Sequence, residues 1–277
     1  MLGQSDPWSL ALFVFVLLAT GMIAGTIAGL LGVGGGIVIV PVLFHFSDLL
    51  GIDEAVRMHL AVGTSLATII PTSIASAGAH MRKGSVDMRL LKEWGAGILA
   101  GVLVGSAIAG FVDGTVLTAV FAVMALSVSV NMALRTDDTA LWRTLPTGLA
   151  RLSIASFIGG LSTMMGIGGG TLSVPVLSAF NYPIHKAIGT AAAIGLIIGV
   201  PGTIGFLIGG LDVPGRPIGS VGYVNLIGVA LIAPTSILFA PYGAALAHRT
   251  DPRGLKKLFA VFLFLTALRM GYGLLLA

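Results

Sequence analysis

Long apolar stretches separated by short polar ones make up almost the whole chain, over roughly 8–33, 36–46, 59–80, 93–112, 115–134, 148–167, 169–181, 186–209, 221–245 and 258–276. Most are long enough to cross a hydrocarbon layer as a helix, which takes about 20 residues. Segments 36–46 and 169–181 are short, and at about 1.5 Å per residue each covers only part of that layer. The same interruption precedes both. Gly32-Val33-Gly34-Gly35-Gly36, followed by Pro41, recurs as Gly166-Ile167-Gly168-Gly169-Gly170, followed by Pro175. Interrupted apolar segments at corresponding points of two halves point to a transporter's binding site. The pattern leaves open whether 37–41 is an extended piece leading into a helix at Pro41 or a helix kinked there.

Composition turns this pattern into a class. Only 9% of residues are Asp, Glu, Lys or Arg, and mean hydropathy is +1.03. That is too little polar side chain to cover a water-soluble globule of this size, so the chain reads as an all-α polytopic membrane protein. Residues 1–8 carry no Lys or Arg, which argues against a cleaved signal peptide and for a retained first segment. With no cysteine, disulfides, thiolate nucleophiles and Fe–S clusters are excluded.

The net charge of +4 matters through its placement. Arg82, Lys83, Arg89 and Lys92 share one loop region; Arg135, Arg143 and Arg151 flank another; Arg249, Arg253, Lys256 and Lys257 form a third. The positive-inside rule puts all three in the cytoplasm. The acidic 47–58 loop and the loops at Asp113 and at Asp212 with Arg216 then lie outside. For this to hold, 148–181 must enter and leave by the same side, and 8–46 must do so from the opposite side. His59-Leu60-Ala61-Val62-Gly63-Thr64 matches His185-Lys186-Ala187-Ile188-Gly189-Thr190, Asp87 is matched with Asp212, and Asn131-Met132 falls near Arg269-Met270. The expected fold is two inverted repeats, 1–134 and 148–277, joined by a cytoplasmic linker 135–147. Each repeat is a Gly-broken hairpin plus three transmembrane helices, eight long helices in total or ten counting the short arms, with both termini external.

The candidate chemistry is that of an anion site. Glycine triplets weaken a helix by roughly 1 kcal/mol per residue relative to alanine, and non-helical backbone at membrane depth is tolerated only against protein or a watery cavity. Unwound at Gly34, Gly35 and Gly36 and at Gly168, Gly169 and Gly170, the chain would present bare N–H groups and two helix N-termini to an anion. The bland alternative is close helix packing on small residues. Thr64, Ser65, Thr190 and Thr171 are hydroxyls near these breaks that could donate to an anion, whereas most single Ser or Thr residues bond back to a helix carbonyl. His59 and His185, duplicated, are candidates for proton coupling or for capping and anchoring helix starts. Arg269 could balance substrate charge, or snorkel to the interface. Trp8, Trp94 and Trp142 sit near expected helix ends as interfacial anchors do. Every carboxylate falls in a loop or at a helix end, which disfavours a cation pump or carboxylate relay. No metal cluster, nucleophile–base pair, P-loop or dinucleotide fingerprint is present, so neither cofactor nor metal is expected.

The duplicated Gly-x-Gly-Gly-Gly with its trailing proline and the His-x-x-x-Gly-Thr element (His59 to Thr64, His185 to Thr190) resemble the sulfite exporter TauE/SafE family over nearly the whole chain. Ser65 has Ala191 in the corresponding place, so the two cradles are not equivalent. The resemblance implies export of sulfite or a small organosulfonate such as sulfoacetate. The expectation is therefore a bacterial inner-membrane secondary transporter working by alternating access, with proton coupling an option. An anion channel and a membrane-embedded enzyme are the alternatives. The expected partners are a small anionic substrate and the lipid bilayer. Nucleic acid is not expected, and a homodimer is left open.

Overall fold

The computed structural model describes residues 7–134, 144–247, 249, 260–261 and 263–272. Linker residues 135–143, with Arg135, Trp142 and Arg143, and most of the third basic loop lie outside the described residues, as do both extreme ends. The helices are α1 (Pro7–Leu31), α2 (Gly36–Leu49), α3 (Glu54–Arg82), α4 (Met88–Phe111), α5 (Gly114–Leu134), α6 (Gly148–Met164), α7 (Gly170–Ala179), α8 (Ile184–Gly209) and α9 (Leu226–Ala247). A tenth, α10, covers the described part of 260–272. A two-stranded ribbon, β1 (Ser220–Val221) with β2 (Val224–Asn225), sits between α8 and α9. Six described helices are long and apolar enough to cross a membrane, and α2 and α7 are short apolar helices beside them.

Local chemistry sets where the long helices begin. The Asp53 carboxylate accepts from the N–H of Ala55 at the start of α3, and that of Asp87 from Arg89 and Leu90 at the start of α4. The Asn225 side chain accepts from the Gly228 N–H at the start of α9. These are ordinary N-caps. The short helices differ: neither Gly35 before α2 nor Gly169 before α7 supplies a side-chain cap. Both short arms are helical through their proline, which settles the alternative left open by the sequence. The missing N–H of Pro41 and Pro175 withdraws the i+4 bond from the carbonyls of Ile37 and Thr171.

Each broken segment returns to the face it came from. Phe13 near the start of α1 packs on Phe46 near the end of α2, ring centroids 5.2 Å apart. On the opposite face, Arg151 in the first turn of α6 pairs with Glu93 of α4 at 3.0 Å, and Tyr182, just beyond α7, bonds to Asp87. The first face thus carries residues 50–53 and the 210–225 connection, and the second carries residues 83–87 and 180–183.

Aligning the halves on their glycine copies exchanges α1 with α6, α2 with α7, α3 with α8 and α4 with α9. The packing follows that exchange: α1 lies along α9 as α6 lies along α4, α9 also meets α3 as α4 meets α8, and α3 and α8 face each other. The first helix of each half therefore packs on the other half. Small residues make these contacts close. A Cβ on Gly25 of α1 would fall 2.4 Å from the Ser236 carbonyl oxygen of α9, and one on Gly101 of α4 1.9 Å from that of Ser156 in α6. The i, i+4 rows Gly21, Gly25, Gly29 and Gly97, Gly101, Gly105 form these helix-packing stripes.

Two sequence assignments change. Trp94 is not an interfacial anchor: it is 1% exposed, packed in the core, because α4 is enclosed by α6 and α8 where it starts. The structural counterpart of Asp87 is Asn225, not Asp212. Both cap the fourth helix of their half, and both give their backbone N–H to the threonine of a Gly-Thr pair, Thr190 and Thr64 respectively.

Replacing Gly101 by alanine should lower the stability of the detergent-solubilised protein by about 1–3 kcal/mol, as overpacking does. Gly110→Ala, on the same helix with nothing within 4 Å of the added Cβ, should be neutral or stabilising. Thermal midpoints measured side by side check this, and equal midpoints would mean that the α4–α6 contact is looser than described.

Candidate functional site

The two glycine breaks cross each other in backbone contact. A Cβ on Gly34 would meet the Cα of Gly168 at 3.1 Å, and one on Gly168 would lie 2.9 Å from the Cα of Gly34. On either side, Gly36 faces the Gly166 carbonyl oxygen (2.2 Å from an added Cβ) and Gly170 faces that of Gly32 (2.4 Å). The chains run antiparallel, and the three contacts map onto one another when the halves are exchanged. The remaining triplet members face elsewhere: Gly35 against Ala24 of its own hairpin, Gly169 against Ala191 and Ile194 of α8. The two breaks differ in conformation. Gly32, Gly34 and Gly35 take positive φ, whereas in the second copy only Gly166 does. At Gly168 glycine is therefore required by proximity and not by φ.

These turns leave main-chain donors open. Val38 and Ile39 both donate to the Gly35 carbonyl, and Ser173 donates to that of Gly169. The N–H groups of residues 33–37 and 168–172 have no main-chain acceptor among the described residues. Both sets lie at buried helix N-termini, where the helix dipole favours negative charge.

The hydroxyls sort into two groups. Thr68, Thr72, Thr118, Thr163 and Thr203 each donate to the carbonyl four residues back in their own helix. Thr64 and Thr190 accept from Asn225 and Asp87 as described, and Ser65 donates to the Gly166 carbonyl at 2.7 Å, tying α3 to the second break. By contrast, Thr171, Ser173, Ser73 and Ser162 are buried with no hydrogen-bond partner for the hydroxyl oxygen. An unsatisfied buried polar group costs about 1–3 kcal/mol, so a cluster of them calls for an explanation.

Thr64 and Thr190 are not brought together: Thr64 looks to the first face and Thr190 to the second. Nor are the histidine and arginine candidates. His59 holds α3 to the end of α4, its Nε2 3.0 Å from the Ala109 carbonyl and 3.2 Å from that of Val112, with its ring stacked 4.6 Å from Tyr223. His185 is exposed in the first turn of α8, and Arg269 is exposed on α10.

The two faces are unlike. On the first, a cavity of about 530 Å³ reaches down to Thr64, with Phe13, Leu17 and Leu60 among its apolar lining and Asn225 and Arg216 among its polar lining. Arg216 also gives two of its N–H groups to the carbonyls of Val213 and Leu211. On the second face, the Tyr182 hydroxyl donates to Asp87 Oδ2 while the Asp87 N–H donates to Thr190, joining the α7–α8 connection to the start of α4. Tyr182 and Asn225 were not singled out from sequence. The polar residue directly before an apolar run was the available signal for Asn225, and none existed for Tyr182.

Six long apolar helices and two short helical arms that restart at crossing glycine breaks, among the described residues, define a multi-pass helical membrane protein. The sulfite exporter TauE/SafE family model matches residues 17–270, and the chain belongs to that family. A "Probable membrane transporter protein" of Haemophilus influenzae is 33% identical over 93% of this chain and 98% of its own length. "Probable membrane transporter protein YunE" of Bacillus subtilis is 25% identical, covering 93% and 97%. "Probable membrane transporter protein MJ0441" of Methanocaldococcus jannaschii is 26% identical, covering 92% and 94%. No solved structure matches the chain.

The Tyr182 hydroxyl, with the N–H groups of Leu90 and Arg89, holds the Asp87 carboxyl below the usual carboxylate range, while burial and the Asp87 charge push the Tyr182 phenol well above its ordinary value. The two shifts set a stability window. The depressed carboxyl contributes stability above its unfolded pKa near 4, lost as pH falls through the lower folded value; the raised phenol contributes below its unfolded pKa near 10, lost as pH rises through the higher folded value. The bond should therefore hold across the neutral range. In a spectrophotometric titration, Tyr182→Phe should remove a phenolate step lying above pH 10; a removed step at or below the ordinary tyrosine value would show the bond to be absent.

Proposed function

We propose that this chain is a secondary transporter exporting a small sulfur-containing anion, sulfite or an organosulfonate such as sulfoacetate, across a bacterial inner membrane by alternating access. The observation that carries the reading is the meeting of two uncapped helix N-termini, with open N–H groups at residues 33–37 and 168–172, at one glycine crossing. Such a place favours an anion without a fixed cation, and a ligand held by dipoles alone can also leave. The antiparallel crossing supports a repeat inverted across the bilayer, with the first face external and the second cytoplasmic. The open cavity on one face and the bonded connection on the other suit a carrier resting with its outer side accessible. Export of an anion from a cell negative inside gains about 2.3 kcal/mol per charge at 100 mV, so modest export needs no coupling ion.

Proteoliposomes loaded with sulfite, sulfoacetate, thiosulfate, taurine or sulfate test this. Saturable efflux of one or two of the sulfur anions, accelerated by a potential negative inside the vesicle, is expected. Absence of efflux for all five from folded, inserted protein would remove the sulfur-anion assignment.

A further inference from the structure

The connection between the third and fourth helix of a half is short on the second face, residues 83–87, and long on the first, residues 210–225. The longer one folds over the first-face cavity, where Gly215, Arg216, Pro217 and Ile218 line it. Bonds within the connection hold this roof. Arg216 Nε and Nη2 donate to the carbonyls of Val213 and Leu211, and Asn225 Nδ2 donates to the Ile218 carbonyl at 3.3 Å and to Ser220 Oγ at 3.1 Å. The walls are apolar, with Phe13 and Leu17 from α1, Leu43 from α2, and Leu60 and Ala61 from α3. Thr64, deepest on α3, is 1% exposed. Its oxygen accepts from the Asn225 N–H, which leaves its hydroxyl proton to donate. The next residue, Ser65, bonds to the Gly166 carbonyl at the glycine crossing. The cavity thus runs from the roof to within one residue of the crossing.

Arg216 is the cation among the lining residues. Its Nη1 makes no bond among the described residues, and none of the described ion pairs involves it. The one carboxylate in the lining, Asp53, is engaged by the Ala55 N–H at the start of α3. We infer that this cavity binds an organosulfonate with a hydrocarbon body, the sulfonate on Arg216 and the body against the apolar walls. This deepens the transport reading and rests on it, since it names the substrate class. A volume of about 530 Å³ falls within the roughly 300–1,000 Å³ of small-molecule sites, which are mostly apolar with a few placed polar groups. Sulfite or sulfate would leave most of that space unfilled and give up hydration against apolar walls. A sulfonate carries one charge for the one arginine, whose planar guanidinium suits paired oxygens. Each methylene covered by the walls should tighten binding about fourfold.

The test uses the full-length chain in nanodiscs of zwitterionic lipid, titrated calorimetrically with methanesulfonate, butanesulfonate, hexanesulfonate and 1-hexanol against empty nanodiscs. The same protein in proteoliposomes is assayed for efflux of sulfite and of each sulfonate. Going from butanesulfonate to hexanesulfonate should lower Kd about tenfold or more, with the efflux KM falling in parallel. Hexanol should bind about tenfold more weakly than hexanesulfonate, and Arg216→Gln should remove that difference. Arg216→Lys, which keeps the charge but not the roof bonds, should stay within about threefold of wild type. Ala61→Leu, which fills the cavity, should weaken hexanesulfonate and leave methanesulfonate unchanged. Arg89→Gln, which removes an exposed cation of the second face, should change none of these values. Equal Kd across the sulfonates, or wild-type hexanesulfonate binding in Arg216→Gln, would overturn the site and leave the cavity to lipid chains, while sulfite efflux from the same protein would leave the transport reading standing. Chain-length-dependent binding without efflux of sulfite or any sulfonate would instead overturn the transport reading, and with it the assignment of these sulfonates as substrates.

Discussion

Two main chains touching at mid-molecule is the constraint on which the rest of the structure depends. Gly34 and Gly168 meet Cα to Cα, and Gly36 and Gly170 rest on carbonyls of the opposite break. No residue with a side chain fits at these points. The contact also fixes where the helices stop. α1 and α6 must end before it, α2 and α7 must restart after it, and the restart leaves N–H groups without the carbonyls that a continuous helix would supply. Helix packing then holds the crossing shut. α1 is clamped along α9 and α6 along α4 through glycine rows, so each half is gripped by the other and the breaks cannot separate without undoing both pairs.

On this symmetric frame the polar groups are distributed unevenly. α3 carries Thr64, Ser65, Thr68, Thr72, Ser73 and Ser76 along its buried length, whereas the aligned part of α8 carries Thr190 followed mainly by alanine, isoleucine and glycine. The faces are uneven too. Thr64 and Thr190 each take a backbone N–H from the cap of a fourth helix, an interaction shared by both halves. The further bonds differ: on the second face Tyr182 bonds to Asp87, and on the first His59 bonds to the carbonyls of Ala109 and Val112. The shared bonds belong to the scaffold, and the unshared ones distinguish its two sides.

Much of this was legible in the sequence because it depends on residue types that membrane burial makes costly. The duplicated Gly-x-Gly-Gly-Gly announced both breaks, and the placement of basic loops announced that each broken segment returns to its own face. What the sequence hid was direction and partner. It could not say that the triplets face each other with Gly35 and Gly169 turned away. Nor could it separate Thr68, bonded to its own helix, from Ser73, one turn further on with no partner. Matching Asp87 to Asp212 followed charge identity, whereas the structure matches by role: Asp87 and Asn225 both cap a helix, which needs a side-chain oxygen and not a charge. Trp94 was misplaced because proximity to a helix end says nothing about which neighbours enclose that end.

Under the transport reading, the same contact limits how the halves can move. Sliding one break along the other would drive Gly36 and Gly170 away from the glycines opposite them and bring Ile37 or Thr171 against backbone, which their side chains forbid. Rotation about the line through Gly34 and Gly168 keeps the small residues at the contact and lets the outer ends of the helices swing. Such a pivot would alternately open the cavity beside Thr64 and the connection between Tyr182 and Asp87, while the open N–H groups at residues 33–37 and 168–172 stay near the axis and move least. A ligand bound there would be exposed first to one face and then to the other without being carried far, and a site made of backbone donors would keep its geometry through the motion.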